Sequence, residues 1–483
     1  MKVLLCAAEA APLVKVGGLG DVVGALPAAL AARSHDARVM LPAYHSISEG
    51  GHPLSPTGIS FPVQVRGRQH QVALLETTLP SGAPAYLLDC PPFFRRPRIY
   101  GEPDDLDRFL CFSRAALEAI GRLGWQPDVV HAHDWHAALI VSSLRTELAR
   151  RMPYSSIGTV LTIHNLAYQG WFDYGWAGEA GVRTQIPGAE NPLHPLLWRC
   201  LALGIYYADA VTTVSETYAR EILTPQYGEG LDPLLRHRQR SLVGIINGVD
   251  YQVFDPARDP NLPVCYSAGD VAGKARVKAA LQERLGLPVE RDTPVVANVG
   301  RLAYMKGGEL TARAVAALLD EGALLQFVQL GSGEPEFEAM MTGLAQRYPG
   351  RVAVVLGRDH GLASLVYAGS DMFVMPSRFE PCGLGQLIAL RYGSIPVVRR
   401  TGGLADTVTE GPHTGNGFVF RAATPEALVA ALQRALDAYA DRAAWRRLVE
   451  RAMRCEYTWD ASVRRYEEVY MRAVAARSAG PRT

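Results

Sequence analysis

The 483-residue sequence has no apolar run approaching the ~18 residues that a membrane-spanning helix needs, so no membrane partner is expected. It lacks a charge imbalance too. Forty-nine Lys and Arg against 48 Asp and Glu leave +1, which excludes a global field able to hold nucleic acid or an anionic membrane. Any anion has to be bound locally. Cysteine is sparse: Cys6, Cys90, Cys111, Cys200, Cys265, Cys382 and Cys455 are odd in number, scattered and never spaced C-x-x-C. Neither a disulfide framework nor a zinc ribbon is indicated, and a reducing cytoplasm is the expected location. With 46 Gly and 32 Pro the chain is not collagenous or of low complexity. Residues 1–8 carry a short apolar run, one lysine and then Glu9, which fails the signal-peptide pattern and predicts a first β-strand.

What is present is a repeat of short β-branched runs that end in polar or glycine-rich turns. They precede Cys6, His131, His164, Ser215 and Asn247, and in the second half Gly300, Gly331, Gly357, Pro376 and Arg399. Helical stretches such as 27–32, 108–123 and 310–321 lie between many of them. The pattern predicts β-α units with buried parallel strands, the doubly wound α/β class. At this length two large domains are expected, with a boundary after Asp250, where 251–263 is rich in Pro, Asp and Asn and has no periodicity. GGL-x-D-x-V occurs at Gly17–Val23 and again at Gly402–Val408, a similar turn in each half. Trp459, Val463, Tyr466, Tyr470 and Val474 form the stripe of an amphipathic helix that must dock.

The polar clusters lie where strands end, which is where ligands bind in open parallel sheets. Lys15, Gly17 and Gly18 precede a helix, a geometry for an anion, yet the spacing is neither the dinucleotide nor the P-loop motif, and a purely structural turn stays open. Arg301 and Lys306 share one loop, suited to a diphosphate or simply solvated. Glu380 in the turn SRFEPCGLGQ is placed to accept hydrogen bonds from sugar hydroxyls, or is a carboxylate near a helix start. HAHDWH sets His131 and His133 on one strand face without zinc-protease spacing, so no metal is expected. Tyr168, Trp171, Phe172, Tyr174 and Trp176 offer sugar-stacking rings, or a loop packed by its own aromatics.

Taken in order, KVGGLGDVV from Lys15, HAHDWHA from His131, TIHNLAYQG from Thr162, INGVDY from Ile246, GRLAYMKG from Gly300, SRFEPCGLGQ from Ser377 and RRTGGLADTV from Arg399 span nearly the whole chain. The set resembles bacterial glycogen synthases and plant starch synthases, retaining glucosyltransferases of the GT-B architecture. That resemblance implies two Rossmann-like doubly wound domains facing across a deep cleft. Residues 1–250 would form the acceptor side, 251–456 the nucleotide-sugar donor side, and 457–478 a helix crossing back to the first domain. It implies transfer of glucose from ADP-glucose to the nonreducing end of an α-1,4-glucan such as glycogen or a maltooligosaccharide, with retention and without a cofactor. By resemblance the catalytic set is Lys15, His164, Arg301, Lys306 and Glu380. The Gly18 backbone with Arg301 and Lys306 would hold the diphosphate, Lys15 its sugar end, and Thr401, Gly402 and Gly403 would sit near the same phosphates. Glu380 and Cys382 would contact glucose hydroxyls and His164 the glucose from the other side. Asp134, Trp135 and Asn247 would complete the pocket, with Gly17, Asp21, Gly383 and Leu384 in the same motifs.

Some positions depart from the family pattern. Arg358 stands where an aromatic residue usually stacks on adenine, and Gly385 where a threonine usually lies near the diphosphate. These two bear on donor choice and rate, not on the fold; Val16 and Met305 replace a common threonine and a frequent glutamine, and Ile388 stands where the broader E-x7-E motif has its second glutamate. The competing readings are a related transferase with another donor or a small acceptor, and an inactive glucan-binding scaffold.

Overall fold

The computed structural model describes residues 1–184 and 191–478. The chain divides into two units, one built from 1–248 together with the segment from Trp459 onward, the other from 249–458. These limits compare with 250, read from the sequence, and 456, implied by the resemblance.

The first unit holds β1 (Lys2–Cys6), β2 (Asp36–Pro42), β3 (Ser55–Val65), β4 (Arg68–Thr78), β5 (Pro84–Asp89), β6 (Val129–His133), β7 (Gly158–Ile163), β8 (Ala210–Thr213) and β9 (Leu242–Gly244). They form one sheet in the order β3-β4-β5-β2-β1-β6-β7-β8-β9. Neighbours from β5 to β9 pair in parallel, and β1 is buried from Val3 through Cys6, as a strand covered on both faces must be. The hairpin of β3 and β4 is antiparallel and was not visible as an apolar run. Its strands alternate buried and exposed residues because only one face packs inward. Arg66 and Gly67 close it, both with positive φ, the backbone of a type I′ turn.

The second unit holds β10 (Val295–Val299), β11 (Gln326–Leu330), β12 (Val352–Val355), β13 (Met372–Met375), β14 (Ile395–Arg399) and β15 (Phe418–Phe420), all parallel, in the order β12-β11-β10-β13-β14-β15. Each unit is thus a Rossmann-like α/β domain. In the first, the strand order reverses between β1 and β6; in the second, between β10 and β13. Ligands of such sheets bind at these switch points.

The helix predicted over 27–32 begins nine residues earlier, at Gly18, and contains Pro27. Glycines at 17, 18, 20 and 24 hide it from propensity, and packing explains two of them. A Cβ on Gly24 would lie 2.4 Å from the Ala11 carbonyl oxygen, and one on Gly20 would lie 3.2 Å from the Glu9 carboxylate. The helix therefore rests directly on the 9–14 segment.

The C-terminal helix, Trp459–Ser478, packs against β7 and the helix Gly18–Ala31, and Val463, Tyr466 and Tyr470 are fully buried there. Tyr470 hydroxyl meets His131 Nδ1 at 2.9 Å, Ser462 donates to the Ile246 carbonyl, and Arg477 pairs with Asp209 at 2.6 Å. Gly158 permits the approach, since a Cβ there would stand 3.0 Å from the Ala473 backbone. Among the described residues no helix is long and apolar enough to cross a membrane, and no disulfide is present.

Candidate functional site

The switch point of the first unit gathers two turns. After β1 the chain runs through Glu9 and returns as the Lys15 loop before the helix Gly18–Ala31. Lys15 Nζ lies 2.6 Å from Asp21 Oδ1, both partly exposed. The loop is not a row of bare amides: the N–H groups of Val16 and Gly17 both donate to Glu9 Oε2, at 2.6 and 2.9 Å. Gly17 thus contributes open space, as a Cβ there would meet nothing within 4 Å, while its amide is already committed.

HAHDWH spans the end of β6 and the start of the helix Asp134–Arg145. His131 and His133 point to one side of the strand with ring centroids 4.1 Å apart. His131 is a core residue, held between Tyr470 hydroxyl and Thr162 Oγ1. His133 Nδ1 and His164 Nε2 lie 2.9 Å apart, so one ring donates its N–H and the other accepts. Burial pushes the imidazoles of His131, His136 and His164 down to about 3 and that of His133 well below its ordinary value. All four rings are neutral near pH 7. Among the described residues no group of three His, Cys, Asp or Glu is arranged to hold a metal ion.

Asp134, with a positive φ of 55° that a non-glycine residue rarely adopts, turns its carboxylate toward β7. Its Oδ1 accepts the backbone N–H of His164 at 2.7 Å and that of Asn165 at 3.4 Å. Burial pushes Asp134 up to about 7, against these two amides. Trp135 lies beneath the loop after β7, where Gly170 allows the contact: a Cβ there would meet the indole at 2.3 Å. Asn247 is buried just beyond β9, and its Oδ1 has no hydrogen-bond partner among the described residues. The aromatic loop splits in character. Phe172 and Trp176 pack on each other, whereas Trp171 is exposed on one face with the Arg199 guanidinium 3.7 Å from its centroid on the other.

The switch point of the second unit joins the loops after β10 and β13. A short 3₁₀ turn, Tyr304–Lys306, followed by Gly307 in the left-handed region, brings Lys306 Nζ to 2.5 Å from Glu380 Oε2. Glu380 is 5% exposed, and Ser377 Oγ donates to the same oxygen at 2.9 Å. Arg301 lies just beyond β10 on the surface, with no acidic partner among the described residues. The loop after β14 interlocks with the Glu380 turn. A Cβ on Gly402 would lie 1.9 Å from the Glu380 carbonyl oxygen and one on Gly403 2.0 Å from that of Cys382. The Gly403 amide donates to the carbonyls of Glu380 and Pro381, so these glycines serve backbone packing, and the amide is not left for a phosphate. Thr401 is buried at the same place, and Cys382, Gly383 and Leu384 complete the turn before the helix Gly385–Arg391. Arg358 is the outlier. It follows β12, two strands away from the switch point, on an exposed stretch.

Sequence reasoning missed Glu9 and Ser377 as parts of these clusters, together with Tyr100, whose hydroxyl donates to Glu9 Oε1 at 2.6 Å. Glu9 had left a signal, as a single acid closing the apolar run of β1. Tyr100 had none.

Two family models match the chain, the starch synthase catalytic domain over residues 2–237 and glycosyl transferases group 1 over 282–451. A glycogen synthase of Anaeromyxobacter dehalogenans (strain 2CP-C) is 46% identical over 97% of this chain and 99% of its own length. One of Geotalea uraniireducens (strain Rf4) is 42% identical over 98% and 99%. Among solved structures, the catalytic domain of starch synthase IV from Arabidopsis thaliana, bound to ADP and acarbose, aligns with TM-score 0.89 and 35% identity over 98% of this chain and 99% of its own. Sucrose-phosphate synthase from Thermosynechococcus elongatus aligns with TM-score 0.62 at 19% identity over 99% of this chain and all of its own, a likeness of fold alone.

Proposed function

Since the chain belongs to the family of glycogen and starch synthases, glucosyltransferases of two Rossmann-like domains, we propose that it transfers glucose from ADP-glucose to the nonreducing end of an α-1,4-glucan with retention of configuration. The observation that supports this most directly is the Lys306–Glu380 pair at the β10/β13 switch point, a cation and a sugar-orienting carboxylate side by side.

The chemistry follows from where charge develops. Breaking the bond between glucose and diphosphate leaves oxocarbenium character on the anomeric carbon and negative charge on phosphate, so fixed cations that favour the latter lower the barrier. In the second unit Arg301 and Lys306 supply that charge, and Glu380 with Cys382 orients the glucose hydroxyls. In the first unit Lys15 meets the phosphate and sugar end, while His164, neutral at pH 7, accepts or donates a single hydrogen bond. Asp134 contributes by fixing the His164 main chain. The departing phosphate takes the proton of the acceptor hydroxyl as that oxygen attacks the same face of the sugar. The cysteines fit a reducing cytoplasm.

A panel of ADP-, UDP- and GDP-glucose with glycogen as acceptor tests the reading. ADP-glucose should give the fastest nucleotide release, with the added glucose removed by β-amylase. Absence of nucleotide release from every donor refutes it.

A further inference from the structure

The Lys15 loop is held from within by a carboxylate whose charge is of the wrong sign for an anion site. Glu9 is 3% exposed, and among the described residues no lysine, arginine or histidine pairs with it. A buried carboxylate without a cation is costly unless its lone pairs are satisfied. Here three donors satisfy them. Oε2 takes the successive amides of Val16 and Gly17, and Oε1 takes the Tyr100 hydroxyl.

The Tyr100 ring in turn lies 4.8 Å from His136, centroid to centroid, and 6.3 Å from Phe109, which packs edge-on against Trp135. Glu9 and Tyr100 therefore span the gap between the loop after β1 and the turn after β6, the two sides of the switch point. Because the negative charge opposes an anion, the contribution that remains is geometric: two successive amides bonded to one oxygen fix the loop's course between Val14 and the helix at Gly18.

We infer that Glu9 is a positioning residue: through Val16, Gly17 and Tyr100 it sets the Lys15 loop against the Asp134–His136 turn. This rests on the assignment of Lys15 to the phosphate end of the donor. Loss of Glu9 would let the ammonium and the Gly18 amide drift from the diphosphate without removing either group.

The test uses the full chain with Glu9→Gln, Glu9→Ala and Tyr100→Phe. Glutamine keeps the network, since its carbonyl accepts both amides and its NH2 donates to the Tyr100 oxygen, and it deletes only the charge. Kinetics with glycogen at saturation are paired with calorimetric titration of ADP, which reports the loop even if no donor is turned over and so separates this inference from the proposed activity. Glu9→Gln should match the parent in kcat, donor KM and ADP affinity. Glu9→Ala should lose on the order of ten- to a hundredfold in kcat/KM for the donor through misorientation, and should bind ADP more weakly. Tyr100→Phe should fall between them, and it carries the test if Glu9→Ala does not fold. The inference is overturned if glutamine is as defective as alanine, which would make the charge itself necessary. It is equally overturned if Glu9→Ala, or failing that Tyr100→Phe, lowers the melting temperature but leaves ADP affinity and donor KM at parental values.

Discussion

Lys306 Nζ and Glu380 Oε2 are 2.5 Å apart, although the residues are separated by 74 positions and lie on loops after different strands. The carboxylate is buried and the ammonium half-exposed, so each holds the other's position while the cation still faces outward. Lys306→Ala should therefore act twice, removing charge from the leaving diphosphate and stranding Glu380. A loss of about 2.7 to 4 kcal/mol, at least a hundredfold in turnover, is expected by comparison with a lost oxyanion donor. Glu380→Ala should reduce turnover similarly. Near-parental kcat in either variant, with circular dichroism unchanged, rules out its assigned role.

Donor choice tests Arg358. A guanidinium is planar and can stack on a base, keeping about 1 to 3 kcal/mol of the usual stacking while tolerating other bases. The ratio of kcat/KM for ADP-glucose over UDP-glucose should exceed one and should rise in Arg358→Tyr. An Arg358→Ala variant with unchanged KM for both donors removes Arg358 from the base site, a result its distance of two strands from the switch point would then explain.

Charge at the proposed diphosphate site of the second unit comes from Arg301 and Lys306, so the reaction should proceed at the same rate after treatment with a chelator. A loss of activity restored only by a divalent ion contradicts this.

The buried histidines make stability depend on pH. His131, His133, His136 and His164 have folded-state pKa values below the unfolded value near 6.5, so the unfolded chain binds more protons below that pH and stability falls as pH falls. Asp134, raised to about 7, works the other way across the same window. Four groups against one leave a net loss of stability on acidification. The melting temperature should drop between pH 7 and pH 5, before ordinary carboxylates titrate. A level profile there contradicts neutral burial of these rings.

Tyr470→Phe should cost about 1 to 3 kcal/mol in chemical denaturation, because it leaves His131 Nδ1 buried without its partner. An unchanged denaturation midpoint shows that the Tyr470–His131 hydrogen bond adds nothing to the docking of the C-terminal helix.

The sequence by itself determined the α/β class, because strands covered on both faces read as unbroken apolar runs. It also set Lys15, His164, Lys306 and Glu380 beyond the ends of such runs, where polar residues are conspicuous, whereas Asp134 was singled out only through the family resemblance. It missed the β3–β4 hairpin, whose single buried face dilutes the apolar signal, and the early start of the helix at Gly18, where glycines selected by close packing depress helix propensity. Only the tertiary structure decided what the glycines do. The Gly17 and Gly403 amides, legible as anion donors, are committed to Glu9 and to the Glu380 turn, since the strand order sets segments side by side that are far apart in the chain. It also sorted the histidines, leaving His131 in the core under Tyr470 and His164 at a strand end, a distinction that rests on which surface the C-terminal helix covers.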